Sequence, residues 1–148
     1  MNSPRICSPN TIFRRTGLVT AFLGAADSIY LLVLKYTQAE SMCIGNHGCI
    51  TVNNSSYSMI YGIPVSLLGL FAYLAIAIVF LLEKKWKPAG SYGPVTIFGL
   101  TLTGVLFTTY LTYIELYVIH AVCPFCILSA VLIGILFILA IIRLVRQN

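Results

Sequence analysis

Long apolar stretches separated by short polar ones divide the chain. Residues 16–34 carry a single acid, Asp27, and residues 41–82, 88–114 and 116–142 carry no Asp, Glu, Lys or Arg. A helix needs about 20 apolar residues to cross a bilayer, and each stretch comes close to that length or exceeds it. The second begins with Asn, Ser and Gly, so its apolar run starts near Ile63. The pattern predicts four spans: Gly17 to Tyr36, Ile63 to Leu82, Val95 to Tyr117, and Cys126 to Ile142. Small residues at Gly17, Gly24, Gly69, Ala72, Gly99 and Gly104 suit close helix packing in lipid. The fold class expected is an all-α membrane protein, a four-transmembrane-helix bundle. Its outer loop carries a cysteine pair and a short interfacial helix.

Composition agrees with this. The 148 residues are 59% hydrophobic and 9% charged, with mean hydropathy +0.94, against about 25% charged in an average soluble domain. The net charge of +5 would suggest nucleic acid in a soluble protein, but here the bases sort by membrane side. Arg5, Arg14 and Arg15 precede the first span, Lys84, Lys85 and Lys87 join the second to the third, and Arg143 and Arg146 follow the fourth. By the positive-inside rule that face is cytoplasmic. The expected protein is integral to the plasma or inner membrane, with both termini inside and the loops Gln38 to Gly62 and Val118 to Val122 outside. Residues 1–15 are then a cytoplasmic tail, loose because of Pro4 and Pro9, residues 16–143 the four-helix domain, and 144–148 a second tail. Lys35 can snorkel to the outer interface, and Trp86 suits an interfacial anchor. The first apolar run is longer than a signal core and lacks a small-residue cleavage site, so it reads as an uncleaved helix.

The cysteines follow the same division. Cys43, Cys49, Cys123 and Cys126 fall outside, where disulfides form, and Cys7 sits alone in the inner tail. Cys123-Pro124-Phe125-Cys126 heads the last span. With Cys123 as cap and Pro124 in the first helical position, Cys126 lies in the first turn, where free N–H groups and the helix dipole favour a thiolate. The same spacing also makes half of a zinc site. In Cys43-Ile44-Gly45-Asn46-His47-Gly48-Cys49, two glycines and an asparagine make a flexible ring. One thiol of that ring could reach elsewhere. His47 could ligate zinc, lower a thiol's pKa, or be merely solvated. Asn53 to Ser56 read as caps for a short helix over Tyr57 to Tyr61, and the two overlapping glycosylation patterns there as chance. Asp27, near mid-bilayer, is either a proton relay or pocket wall, or a structural tie to Thr108, Thr109 or Tyr110. Glu115, close to the end of its span, calls for less explanation.

Two dithiols on one side of a membrane bundle can pass electrons from a soluble protein to an acceptor dissolved in the bilayer. On these residues the chain resembles the vitamin K epoxide reductase family, in its prokaryotic branch. The matching features are Asp27-Ser28-Ile29-Tyr30-Leu31, the loop pair Cys43 and Cys49, then Val52, Ser55 and Tyr57, Gly62-Ile63-Pro64-Val65 with Gly69 and Tyr73, and Cys123-Pro124-Phe125-Cys126. The resemblance runs from about Arg15 to Arg143. It implies a bundle around a quinone of the ubiquinone or menaquinone class, with Cys126 nearest the ring and Cys123 its exchange partner. It further implies that Cys43 and Cys49 relay electrons from a thioredoxin-like protein, and that Ser55 orients near the reaction centre. The function expected is a membrane thiol oxidase that supports disulfide formation in exported proteins. Many prokaryotic members carry a fused thioredoxin-like domain, whereas this sequence stops at Asn148, so the partner is expected to be separate. Animal members have a Thr-Tyr pattern after their Cys-X-X-Cys. Ile127-Leu128-Ser129-Ala130 has no tyrosine, which favours a plain respiratory quinone over an epoxide. The readings set against this are a zinc site built from the four thiols, and a scaffold with two inert disulfides.

Overall fold

The computed structural model describes residues 9–37, 48–85 and 89–147. Cys7, Cys43, His47 and Trp86 lie outside the described residues. Among the described residues five α-helices run in chain order: α1 Pro9–Thr37, α2 Gly48–Asn54, α3 Val65–Lys85, α4 Ala89–Ile114 and α5 Pro124–Gln147. Among the described residues, four segments are long and apolar enough to cross a membrane, Thr11–Thr37, Val65–Glu83, Tyr92–Ile119 and Pro124–Arg146. The all-α bundle expected from the sequence is therefore present, with different ends. Helix α1 begins at Pro9, inside the segment read as a loose tail, because proline suits a first helical position as well as a loop. Helix α4 runs through Pro94, which a membrane helix tolerates.

Helix α1 packs against α3 and α5, and α4 against α5 and α3, closing a four-membered ring. Its core joins Ala21, Ala25, Tyr73, Ile76, Phe80, Ile97 and Leu136. On α1, a side chain at Gly17 would collide with the Phe80 ring, and one at Gly24 with the Tyr73 ring. Two aromatics of α3 thus lie against bare backbone, the close approach that small residues permit in lipid. Most of the outward side chains are apolar, as a lipid-facing surface requires.

The two ends of the bundle differ in chemistry. At one end Arg143 pairs with Glu83 at 3.0 Å, with side chains 11% and 5% exposed. The Arg143 guanidinium also lies 5.7 Å from the Phe80 ring centre, and that of Arg146 5.3 Å from Phe13. The opposite end carries a polar cap made of α2, a 3-10 turn at Ser56–Ser58, and a two-stranded hairpin, β1 Met59–Ile60 with β2 Ile63–Pro64. Tyr61 and Gly62 turn the hairpin at φ 50° and 82°, two successive positive values as a tight two-residue turn demands.

The cap departs from the expected helix over Tyr57 to Tyr61. The helix forms earlier, at Gly48–Asn54, and the hairpin occupies the later positions. Lys35 at the end of α1 holds the cap down, its Nζ donating to Asn53 O at 2.7 Å and to Ser58 Oγ at 2.6 Å. Asn53 Nδ2 returns a bond to Leu31 O at 2.9 Å. Lys35 therefore ties the cap to the bundle.

Candidate active site

Helix α5 begins as the sequence suggests, with Pro124 in its first position and Cys123 as cap. The Ile127 N–H reaches Cys123 O at 3.2 Å and closes the first turn. The Phe125 ring packs tilted against Tyr30 of α1 with ring centres 4.6 Å apart, which fixes the start of α5 against the bundle. Cys123 and Cys126 are free thiols, the first 1% exposed and the second half-buried.

The helix start favours the other thiol from the one expected. The Cys126 thiol donates to Cys123 Sγ, and the Phe125 and Cys126 backbone N–H groups also point at it. These are the second and third helical positions, whose free N–H groups an N-cap side chain accepts. Together they hold Cys123 down to about 7, with the Cys126 hydrogen bond the largest cause and burial opposing it. An ordinary thiol sits at 9.0. The sequence pattern points to a thiolate on Cys126 because that residue lies within the first turn. A side chain at the cap bends back over the first N–H groups, whereas one inside the turn projects sideways, so the favoured position is Cys123.

Cys49 is fully buried and sits in one cluster with Cys123, Leu31 and Leu34. Its side chain is hydrogen-bonded to Cys123. Gly48 makes this approach possible: a side chain there would run into the Val122 carbonyl. The flexible ring expected between the loop cysteines therefore ends in a packed helix, and its glycine serves contact between α2 and the turn before α5. The structure brings together Cys49, Cys123 and Cys126; Cys43 lies outside the described residues.

A cavity opens beside these thiols, lined by residues of all five helices. Cys49, Cys123 and Cys126 face it together with Ser55, and Val65, Phe107 and Leu111 contribute to a wall that is mainly apolar. Ser55 donates to Val52 O at 2.7 Å. Ser66, also on the wall, has a buried hydroxyl oxygen with no protein partner. Asp27 is 7% exposed and both its carboxyl oxygens lack a protein partner. The tie expected to α4 is not made, since Thr108 and Thr109 donate to Val105 O of their own helix and Tyr110 is exposed.

The residue that sequence reasoning passed over is Glu115. It is 4% exposed, lies on the cavity wall, and accepts the Cys123 N–H at 3.4 Å through Oε2. Its carboxyl is also hydrogen-bonded to the Cys126 thiol. A π turn over Glu115–Ile119 ends at His120 with φ 53°, and the Glu115 carbonyl accepts the His120 and Ala121 N–H groups. Such turns recur at functional sites. The one signal in the sequence is an acid at the end of a membrane span a few residues before the Cys-X-X-Cys.

Four helices long and apolar enough to cross a membrane thus gather three thiols beside a mainly apolar cavity. The chain belongs to the vitamin K epoxide reductase family, whose pattern it matches over residues 16–141. It is also similar to thiol-disulfide oxidoreductase LTO1 of Arabidopsis thaliana, 31% identical over 121 residues. That match takes in 78% of this chain and 32% of the relative, so the chain spans about a third of the relative's length.

Proposed function

We propose that the chain is a membrane thiol:quinone oxidoreductase. It reoxidises a separate thioredoxin-like protein, passes two electrons through its cysteine pairs to a membrane quinone, and so supports disulfide formation in exported proteins. The observation that carries this reading is the contact of Cys49 with Cys123 beside a cavity that Cys126 also faces. A thiol bound to the partner's side of the pathway and a thiol bound to the acceptor's side meet at one sulfur.

The chemistry divides among four residues. The partner dithiol reduces the Cys43–Cys49 disulfide. Cys49, as thiolate, attacks Cys123 of the Cys123–Cys126 disulfide and expels Cys126. Cys43 then attacks Cys49 and expels Cys123, whose depressed pKa makes it a good leaving group. The net reaction is partner dithiol plus quinone giving partner disulfide plus hydroquinone.

The cavity fits a quinone. Its mainly apolar wall suits a ring and the start of an isoprenoid chain. The Ser66 hydroxyl, buried without a protein partner, would donate to a quinone oxygen, and Ser28 and Ser55 add polar groups on the same wall. The quinone would supply the two-electron acceptor; the chain supplies binding, orientation and the dithiol. The absence of a tyrosine after Cys126 supports ubiquinone or menaquinone rather than an epoxide. The distribution of bases supports a cytoplasmic location for both termini and an outer one for the thiols.

With a reduced thioredoxin-like protein as donor, quinone absorbance should fall for the wild type and stay flat for Cys126→Ala. Equal rates for both would sink the reading. Stoichiometric zinc surviving dialysis would favour the zinc site instead. A membrane-impermeant thiol reagent added to reduced cells should label an outer cysteine and spare Cys7; labelling of Cys7 alone would invert the topology.

A further inference from the structure

Closing the Cys123–Cys126 disulfide removes the basicity of both sulfurs, so the proton on Cys126 must leave the pair. Cys123 cannot keep it, because its electron pair goes into the new S–S bond. A third group takes it, and a group that sits against Cys126 can do so directly.

Among the described residues on the cavity wall, the titratable groups beyond the pair are Cys49, Tyr57 and Glu115. Cys49 contacts Cys123 and must itself be a thiolate to exchange. Tyr57 is 47% exposed on the 3-10 turn. Of the charged groups on α1, Lys35 is held by Asn53 O and Ser58 Oγ, and Asp27 is not part of the wall. His120, next along from the π turn, is exposed. Glu115 alone in this set is bonded to the Cys126 thiol, and its bond to the Cys123 N–H fixes the carboxyl between the two residues.

We propose that Glu115 is the proton acceptor for Cys126, and the proton donor to the reduced acceptor, during closure of the Cys123–Cys126 disulfide. The proposal rests on the redox reading of the dithiol and deepens it. In the forward step the Cys126 S–H bond breaks and its proton passes to a Glu115 oxygen. The S–S bond forms, and the two electrons released by the dithiol enter the quinone. Glu115 then gives its proton to one quinone oxygen, and the proton that Cys123 had released to water returns from water to the other. Two electrons and two protons leave the dithiol and two of each arrive on the quinone. The placement explains why an acid is buried at the head of the dithiol helix, and why the chain bends through a π turn to hold it there.

The test uses the full chain with Cys7, Cys43 and Cys49 changed to Ala, reduced and freed of reductant, so that one dithiol remains. Two oxidants are mixed with it in single turnover: a short-chain ubiquinone, read as hydroquinone, and 4,4′-dithiodipyridine, read as released thiopyridone. Glu115→Gln keeps an acceptor for the Cys123 N–H but cannot take a proton. It should slow closure by both oxidants about 100-fold, the usual scale of general base catalysis. Its residual rate should climb with pH towards the parent's as hydroxide replaces the carboxylate. Glu115→Asp should recover most of the parent rate and shows that a carboxylate can be moved without loss of fold.

Parent-like closure in Glu115→Gln with both oxidants would overturn the proposal. So would a loss that pH does not restore, since that is what a packing defect gives. A parent dithiol that leaves the quinone unreduced, yet shows the Glu115 dependence with dithiodipyridine, would keep the proton role and overturn the quinone reading.

Discussion

The side chains of Cys49 and Cys123, one on a short cap helix and the other on the cap of α5, are hydrogen-bonded to each other in a buried cluster with Leu31 and Leu34. In the proposed exchange, this contact supports Cys49 rather than Cys43 as the thiol that meets Cys123.

That order predicts which mixed disulfide can be trapped. In a Cys43→Ala, Cys126→Ala protein both resolving thiols are gone, so a Cys49–Cys123 bond should accumulate under mild oxidation. Peptide mapping by mass spectrometry should find it in most of the protein. In a Cys49→Ala, Cys126→Ala protein, a comparable yield of Cys43–Cys123 would show that the contact does not set the route.

Cys123 should titrate near neutrality in the reduced protein. Its value in the folded protein, about 7, lies below the ordinary thiol value of 9.0. The sign is that of a depressed acid: the stabilisation of the reduced form is fully present above about 9, and is lost as pH falls through about 7. Thiolate absorbance in the ultraviolet should therefore show a midpoint near 7 that moves up in Cys126→Ala, where the largest stabilising hydrogen bond is gone. An unmoved midpoint would mean that the backbone N–H groups dominate.

Gly48 should be intolerant of any side chain. A methyl group there meets the Val122 carbonyl, and overpacking of this kind costs about 1–3 kcal/mol. Gly48→Ala should push α2 away from the turn before α5, slowing partner-driven turnover about tenfold or more. Quinone reduction by a pre-reduced Cys123–Cys126 pair should hold near its normal rate, since that step does not use Cys49. Equal losses in both assays would contradict the assignment.

Ser66→Ala removes a buried hydroxyl that no protein group satisfies. If that hydroxyl donates to the acceptor, losing one neutral hydrogen bond of about 1 kcal/mol raises KM for quinone about fivefold with little change in kcat. Thermal stability should hold or rise, because an unsatisfied polar atom leaves the interior. A KM unchanged with that gain in stability would assign Ser66 no part in binding.

The bundle was legible because charge-free stretches long enough for a bilayer leave little choice of fold, and Cys123 with Pro124 marks a helix start by chemistry that acts locally. The cap was not. Asn53 to Ser56 look like capping residues for the segment after them, yet Asn53 turns back to Leu31 O and Lys35 fixes it from below. Those are contacts between segments distant in sequence. Gly48 suggested flexibility because glycine permits it, although here it serves close approach to Val122. Glu115 was passed over because the π turn that aims it inward depends on packing rather than on a local motif. The free N–H groups of the helix start point at Cys123 because a cap side chain bends back over them.

The most direct measurement takes the reduced protein alone, without partner, through one turnover with a soluble ubiquinone, counting hydroquinone and mapping the disulfide formed. With Cys43 and Cys49 replaced by Ala, one hydroquinone is expected for each Cys123–Cys126 disulfide. Hydroquinone appearing while Cys123 and Cys126 remain thiols, or a dithiol that persists in the presence of quinone, would contradict electron transfer from this pair to the membrane acceptor.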